Sequence, residues 1–363
     1  MRSHAPLSIA VIGPARFGIG EPCPGGMERH TAVLARSLQS LGHRVTVYAG
    51  PATDPTPADL RVEPIVARAP DFSGSVRTDN AMPPGRYASE EEGYRDVLTR
   101  IVHGAFDVVH NNSLHHLPPV LQPLLGLPMV HTLHTPPFEW LQRAHEHRRR
   151  AGSRDAVVAV SHALSRRWPA IATHVVHNGV DITAWPPGQG RSGGCVWSGR
   201  IVPEKAPHMA IDAARAAGLP IVLAGPVQHD DYFCQQIRPR LGADARWLGH
   251  LGSADLTAVY GDAAVGVVTP RWDEPFGLVA AEMLACGTPV AAFDRGALAE
   301  IVEPAVGALA PPDDVGALAH AIVAAAACER RVCRKVAESR LAATTMTSQY
   351  FELYREAIRN GLR

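Results

Sequence analysis

The chain has 363 residues, 46% of them hydrophobic and 19% charged, with 35 basic side chains against 35 acidic ones. That length exceeds what one hydrophobic core organises, so two domains are expected, and the even charge argues against a nucleic-acid or other polyanionic partner. Six cysteines without a CxxC pair read as reduced thiols of a cytoplasmic protein; no apolar run reaches the length of a membrane span, and the N-terminus does not read as an export signal.

"SIAVI" at 8–12 reads as a strand, followed by a Gly/Pro-rich loop and a helix from about Gly26 to Leu41. In that helix Met27, His30, Leu34, Leu38 and Leu41 recur at three- and four-residue steps, and Gly42 stops it. "RVTVYA" at 44–49 completes a βαβ opening. The loop between, "GIGEPCPGGMERHT", is not a dinucleotide fingerprint. Cys23 stands where a third glycine belongs, and the second strand runs into Tyr48, Ala49 and Gly50 without the acidic residue that grips a ribose. Its glycines serve either a tight turn or the close approach of backbone to a ligand.

Short β-rich runs follow at "RVEPIVA", "DVVH", "PMVHTLH", "AVVAVS" and "HVVHN", separated by helical or loop segments, which implies a mostly parallel sheet covered on both faces. The interval 71–92 lacks periodicity and is expected to be a long loop. "PMVHTLHTPPFEW" ends its strand with His134 before two prolines stop regular structure. The histidines of "SLHH" at 113–116 and "HEH" at 145–147 lack the i, i+4 spacing and companion Cys or Asp of a metal site, so no metal is expected. The basic run from Arg143 to Arg154 reads as a solvated face, with peripheral contact to an anionic membrane surface as the other reading.

The Pro/Gly/Ser-rich break "WPPGQGRSGG" at 185–194 is the expected boundary, giving domains 1–185 and 186–345 followed by a final segment 346–363. Beyond the break the alternation restarts with "CVWSG", helix 207–217, "PIVLAG", "RWLGH", helix 253–261, "AVGVVTP", an apolar helix and "PVAAF". Helices at 315–327 and 346–360 finish the chain. The fold class is therefore α/β, with two doubly wound Rossmann-like domains facing a central cleft at the C-terminal ends of their strands.

The chemistry concentrates in "WDEPFGLVAAEMLACGTPV", 272–290. The strand before it delivers Arg271, Asp273 and Glu274 into a loop, and the helix starts near Phe276, Gly277 and Leu278, where unpaired N–H groups and the helix dipole favour anions. Glu282 lies four residues after Leu278, among Leu278, Val279, Ala285 and Cys286, with no Lys or Arg within one turn. Such a carboxylate is exposed, or meets an arginine from elsewhere, or accepts hydrogen bonds from a ligand diol. Arg200 and Lys205 leave the end of another strand in "SGRIVPEKAPHMAIDAARAAG", and Lys205 is one of only two lysines in the chain, the other being Lys335.

"EPFGLVAAEMLACGTPVAAFDRGALAEIV" resembles the signature of retaining glycosyltransferases of family 4, which have the GT-B fold. The resemblance implies that Glu282 holds the nucleotide ribose, that Glu274 contacts the donor sugar, and that backbone amides of Phe276, Gly277 and Leu278 contact sugar and phosphate. It assigns Arg200 and Lys205 to the donor diphosphate, Gly25 and Gly26 to its approach, and Gly249 in "RWLGHL" to the loops around nucleoside and base. It places His134 beside the donor sugar, holding a hydroxyl, and the last helix back on the N-terminal domain. The implied reaction is retaining and metal-independent, with no cofactor beyond a nucleoside diphosphate sugar, leaning to a UDP-sugar, and a small-molecule, glycan or lipid-linked acceptor. A departure is the longer loop from Gly13 to Pro24, which leaves acceptor contacts unassigned. The rival readings are a non-hydrolysing sugar-nucleotide epimerase and a non-catalytic sugar-nucleotide-binding protein.

Overall fold

A computed structural model describes residues 5–21, 23, 25–51, 59–66, 84–153 and 155–361. The chain divides into two compact units, 1–177 with 346–363, and 178–345.

In the first unit seven parallel strands stand in the order β3-β2-β1-β4-β5-β6-β7. They are β1 Ser8–Ile12, β2 Arg44–Ala49, β3 Arg61–Pro64, β4 Val108–Asn111, β5 Met129–Leu133, β6 Val157–Ala159 and β7 His174–Val175. The period-two alternation of side chains sends Ile9 and Val11 of β1 into one core with Leu34, Leu38 and Val47, and Ala10 and Ile12 into the other with Tyr94, Val97 and Ile101. The C-terminal helix Ala343–Gly361 adds Tyr350 and Tyr354, both fully buried, to the first of these cores.

The second unit has six parallel strands in the order β10-β9-β8-β11-β12-β13. These are β8 Cys195–Ser198, β9 Ile221–Ala224, β10 Ala245–Trp247, β11 Val265–Val268, β12 Val290–Phe293 and β13 Gly307–Ala310. Each sheet therefore reverses its strand order once, between β1 and β4 and between β8 and β11. At such a switch point the loops after the two central strands diverge and leave a crevice for a ligand.

Two sequence expectations need correction. Within the expected loop 71–92, residues 71–83 lie outside the described residues, but from Pro84 the chain is the helix Pro84–His103. Its apolar anchors, Tyr94, Val97, Leu98 and Ile101, begin only after the Ser-Glu-Glu-Glu stretch, so periodicity fails where the helix starts. The division between units falls at 177/178, ahead of the Pro/Gly-rich break. The cause is the helix Arg330–Arg340, which the sequence reading passed over. Arg334 donates from Nη1 to the Trp185 and Ala285 carbonyls at 2.6 and 2.8 Å. Arg330 donates to the carbonyls of Gly188, Ala263, Gly261 and Cys286 and to Thr288 Oγ1 at 2.8–3.2 Å. The break at 185–194 is thus laced into the second unit instead of linking the two.

All six cysteines are free, with Cys234 exposed and Cys23, Cys195, Cys286 and Cys333 buried. No helix among the described residues is long and apolar enough to cross a membrane.

Three glycines step across the strand ends of the second unit. Gly199 donates its N–H to Ala224 O at 3.0 Å, and Gly225 donates to Gly249 O at 2.7 Å. A Cβ on Gly225 would overlap the Gly199 carbonyl oxygen. Gly225→Ala is therefore expected to destabilise the second unit by about 3 kcal/mol, lowering its unfolding midpoint by about 10 °C. A calorimetric scan of the variant checks this; an unchanged midpoint overturns it.

Candidate functional site

In the second unit the loops after β8 and β11 flank the switch point and bring together two of the expected residues. Lys205 Nζ lies 2.6 Å from Glu274 Oε2, with side chains 23% and 13% exposed. A half-buried pair of this kind is screened less than one on the open surface. Both partners are held by their backbones. Thr269, just past β11, accepts from the Trp197 indole at 3.0 Å and places its hydroxyl 2.9 and 3.1 Å from the Lys205 and Ala206 carbonyls. The same turn requires a left-handed Ala206, at φ 44°. The Glu274 carbonyl accepts the Ala297 N–H at 2.8 Å, and Gly296 packs so close that a Cβ would overlap that oxygen. Trp272 completes the arrangement. Its Nε1 donates to Glu274 Oε2 at 3.2 Å, and its ring centre lies 5.1 Å from Lys205 Nζ.

Arg200 reaches across to the loop after β9, with Nη1 3.3 Å from Gln228 Oε1 and Nη2 3.9 Å from Glu204 Oε1. It remains about one-third exposed, at 35%. Gly277 is the N-cap of the helix Leu278–Ala285 and takes φ 98°, a conformation closed to side chains. Phe276 before it is buried and Leu278 after it half-buried, and the amides of the first turn have no partner within the helix. Glu282, one turn on, is 1% exposed, so the exposed reading of this carboxylate is wrong. Its charge, together with burial, pushes the Cys286 thiol up to about 12, burial being the larger cause. Gly249 takes φ 79° at the end of the β10 loop, with open space where a Cβ would stand.

In the first unit Gly25 is the N-cap of the helix Gly26–Ser40 at φ −160°, extended backbone that any residue adopts. The turn itself therefore does not require glycine at this position. A Cβ would instead meet the Glu28 carboxylate at 2.7 Å, the end of a flexible side chain. Gly26 is exposed and opens the helix. His134 follows β5, its Nε2 3.0 Å from Asn112 Oδ1 and its ring edge-on to His30 at 4.8 Å between centroids. Burial, and then the neighbouring His110, lower its pKa to about 3, so the ring is neutral at pH 7.

Of the histidines at 115–116 and 145–147, His115 and His145 are built into the packing, His116 is half-buried and His147 is exposed. His115 stacks on Tyr94 at 4.6 Å and accepts the Leu117 N–H, and His145 packs edge-on against His131 and Trp168. In the basic helix Glu139–Arg150, Arg143 and Arg150 pair with Glu139 and Glu146 on the surface, while Arg148 turns inward and is 4% exposed. Arg154 lies outside the described residues.

Sequence reasoning missed Thr269, Trp272 and Asn112. Trp272 stood inside the segment singled out. Asn112 carried a usable signal, since "HNN" ends the apolar run "DVV" where a parallel strand meets a ligand crevice.

The family model Glycosyltransferase Family 4 matches residues 24–184, and that of Glycosyl transferases group 1 matches 195–340. Glycogen synthase of Mycobacterium tuberculosis is 28% identical over 338 residues, covering 82% of this chain and 81% of its own. Among solved structures, sucrose-phosphate synthase from Thermosynechococcus elongatus superposes with a TM-score of 0.77 at 21% identity, over 98% of this chain and 100% of that one. Anabaena HepE in complex with UDP-glucose gives a TM-score of 0.70 at 20% identity, over 96% and 100%. Two family matches that together span most of the chain, on a GT-B fold with Lys205 and Glu274 joined at its second switch point, identify the chain as a member of glycosyltransferase family 4.

Proposed function

We propose that this glycosyltransferase takes a sugar from a UDP-sugar and delivers it, with retention at the anomeric carbon, to a hydroxyl-bearing acceptor. The observation that carries the donor site is the Lys205–Glu274 pair beside the N-terminus of the Leu278–Ala285 helix. An ammonium has three N–H groups, so the bond to Glu274 leaves others for a phosphate oxygen. Arg200 adds a second cation, and the backbone amides of Phe276, Gly277 and Leu278, where the chain enters that helix, add a third source of positive potential. Together they supply the charge that a metal ion supplies in other transferases, and the reaction is proposed to run without one. The preference for UDP is supported by the fold shared with HepE, which binds UDP-glucose.

As the bond from the anomeric carbon to the diphosphate breaks, the leaving group gains about one negative charge, and fixed cations stabilise that state more than the ground state. The acceptor oxygen bonds to the carbon from the same face, and its proton passes to the departing diphosphate oxygen. Glu274 orients a sugar hydroxyl, Glu282 accepts from the ribose diol, and the region of Gly249 borders the base. In the first unit, Gly25 and Gly26 give the diphosphate access to backbone, and the neutral His134 ring holds a hydroxyl. The acceptor is a small molecule, a glycan or a lipid-linked sugar.

Thermal shifts with UDP, GDP, ADP and dTDP test the donor site. At 100 times its dissociation constant a bound nucleotide adds about 2.7 kcal/mol of stability. UDP is expected to give the largest shift, and no shift with any of the four overturns the proposal. Glu282→Ala is expected to weaken UDP binding about 10- to 100-fold, the loss of hydrogen bonds to a charged acceptor. Unchanged affinity removes its ribose role. Detection of a new glycoside, as opposed to an isomerised or merely bound donor, separates transfer from the epimerase and binding-protein alternatives.

A further inference from the structure

His134 sits at the end of a chain of buried polar groups whose hydrogen-bond directions can be worked out one by one. Thr31 Oγ1 lies 2.8 Å from the Met27 carbonyl, one helical turn back. A carbonyl only accepts, so the hydroxyl donates there and turns its lone pairs outward. Asn112 meets that hydroxyl with Nδ2 at 3.3 Å, the amide donating. The amide orientation is thereby set, and Oδ1 faces the other way. It stands 3.0 Å from His134 Nε2 and 2.9 Å from His110 Nε2. An amide oxygen cannot donate, so both ring nitrogens carry the proton. For His110 the remaining nitrogen, Nδ1, is then an acceptor, and the Tyr354 phenol donates to it at 2.6 Å. Thr132 Oγ1, 3.0 Å from His110 Nε2 and 3.0 Å from Tyr350 Oη, closes the set. Each member finds a partner of the right kind, whereas a flipped amide would set Oδ1 against Thr31 Oγ1, whose proton is given to Met27, oxygen facing oxygen with no hydrogen between them.

We propose that Asn112 is a positioning residue that holds His134 as the Nε2–H tautomer, so that Nδ1 is presented as a bare hydrogen-bond acceptor for a substrate hydroxyl. That the hydroxyl belongs to a sugar or acceptor rests on the glycosyltransferase function proposed above; the tautomer does not. The C-terminal helix takes part through Tyr350 and Tyr354, which brace His110 and Thr132 from the far end of the chain. The titratable groups facing this set are His30, edge-on to His134, and His110, and both are held neutral by burial. An Nδ1 that accepts a hydrogen bond without retaining the proton suits a reaction in which the diphosphate takes the acceptor proton.

The tautomer is read directly from long-range 1H–15N correlation spectra of the full chain labelled with 15N-histidine at pH 7.5, with His134→Gln identifying the signal. The expected pattern is a protonated Nε2 and an unprotonated Nδ1, seen without any ligand; a protonated Nδ1 overturns the proposal. Asn112→Asp keeps an oxygen in place but adds a negative charge that stabilises the imidazolium. Its pH–rate profile is expected to gain an ionisation near neutrality, with kcat falling about tenfold on the acid side and KM for the donor within about twofold. A wild-type profile in Asn112→Asp overturns the positioning role. Asn112→Ala is expected to show mixed tautomers at His134; if it does not fold, the wild-type spectrum and the Asp variant carry the test. A wild-type enzyme that shows the Nε2–H pattern but transfers no sugar counts against the function and leaves the tautomer assignment in place.

Discussion

Lys205→Ala is expected to lower kcat about 100- to 1000-fold, the range found when one preorganised donor to a developing oxyanion is lost. The ammonium sits where the loops after β8 and β11 meet, and Thr269 fixes its backbone. Its placement is therefore settled before a ligand arrives, and little reorganisation is needed as the leaving group charges. Since that charge is larger in the transition state than in the bound donor, kcat falls more than donor affinity. Glu274 adds a second effect, because removal of Lys205 leaves its carboxylate, 13% exposed, with only the Trp272 indole of the two contacts described for it. Steady-state transfer with the donor picked out by thermal shift checks the expectation. A kcat within about threefold of wild type removes the leaving-group role.

Acidification is expected to unfold the first unit before the second. His110 is lowered to about 4, and His115, His134 and His145 to about 3, in every case chiefly by burial, while His30 and His131 are lowered well below 6.5 for the same reason. Their folded pKa values lie below the unfolded value, so between about pH 6.5 and pH 3 to 4 the unfolded chain binds more protons than the folded one. Stability is then complete above pH 6.5 and is lost progressively as pH falls. At pH 5 a single buried histidine of this kind costs about 2 kcal/mol, already a large share of the stability of an ordinary domain. The second unit has the half-buried His208, lowered less deeply, in place of this cluster. Hydrogen exchange read by mass spectrometry at pH 7, 6 and 5 locates the change. Protection should be lost in segments 26–40 and 108–133 while 195–224 keeps it; simultaneous loss in both units, or none at pH 5, refutes the expectation.

The alternation of strands and helices was legible because the strands are buried on both faces, which makes each a short apolar run between breakers. β1 and β2 have the expected bounds, 8–12 and 44–49. Strand ends were legible too, which is why Arg200, Lys205, Glu274 and His134 all fall at the C-terminal edge of a sheet. Less visible was anything decided by a partner far along the chain. Lys205 and Glu274 are 69 residues apart, and the sequence assigned them separate duties without showing that they meet. His110 and Tyr354 are 244 apart, and neither periodicity nor propensity carries that bond. The linker was misplaced for a related reason: Pro and Gly mark irregular backbone, but the arginines that fasten it stand on a helix at 330–340.

The scarcity of lysine has an experimental consequence. Reductive methylation with 13C-formaldehyde would label two side chains, Lys205 and Lys335, besides the N-terminal amine. Lys335 is exposed and serves as a reference in the same sample, whereas Lys205 lies 5.1 Å from the centre of the Trp272 ring. Ring current sets the two lysine dimethylammonium signals apart, so each lysine gives its own line beside that of the N-terminal amine. One line stays put as nucleotide is added, and the other reports when a phosphate arrives beside the ammonium and its carboxylate.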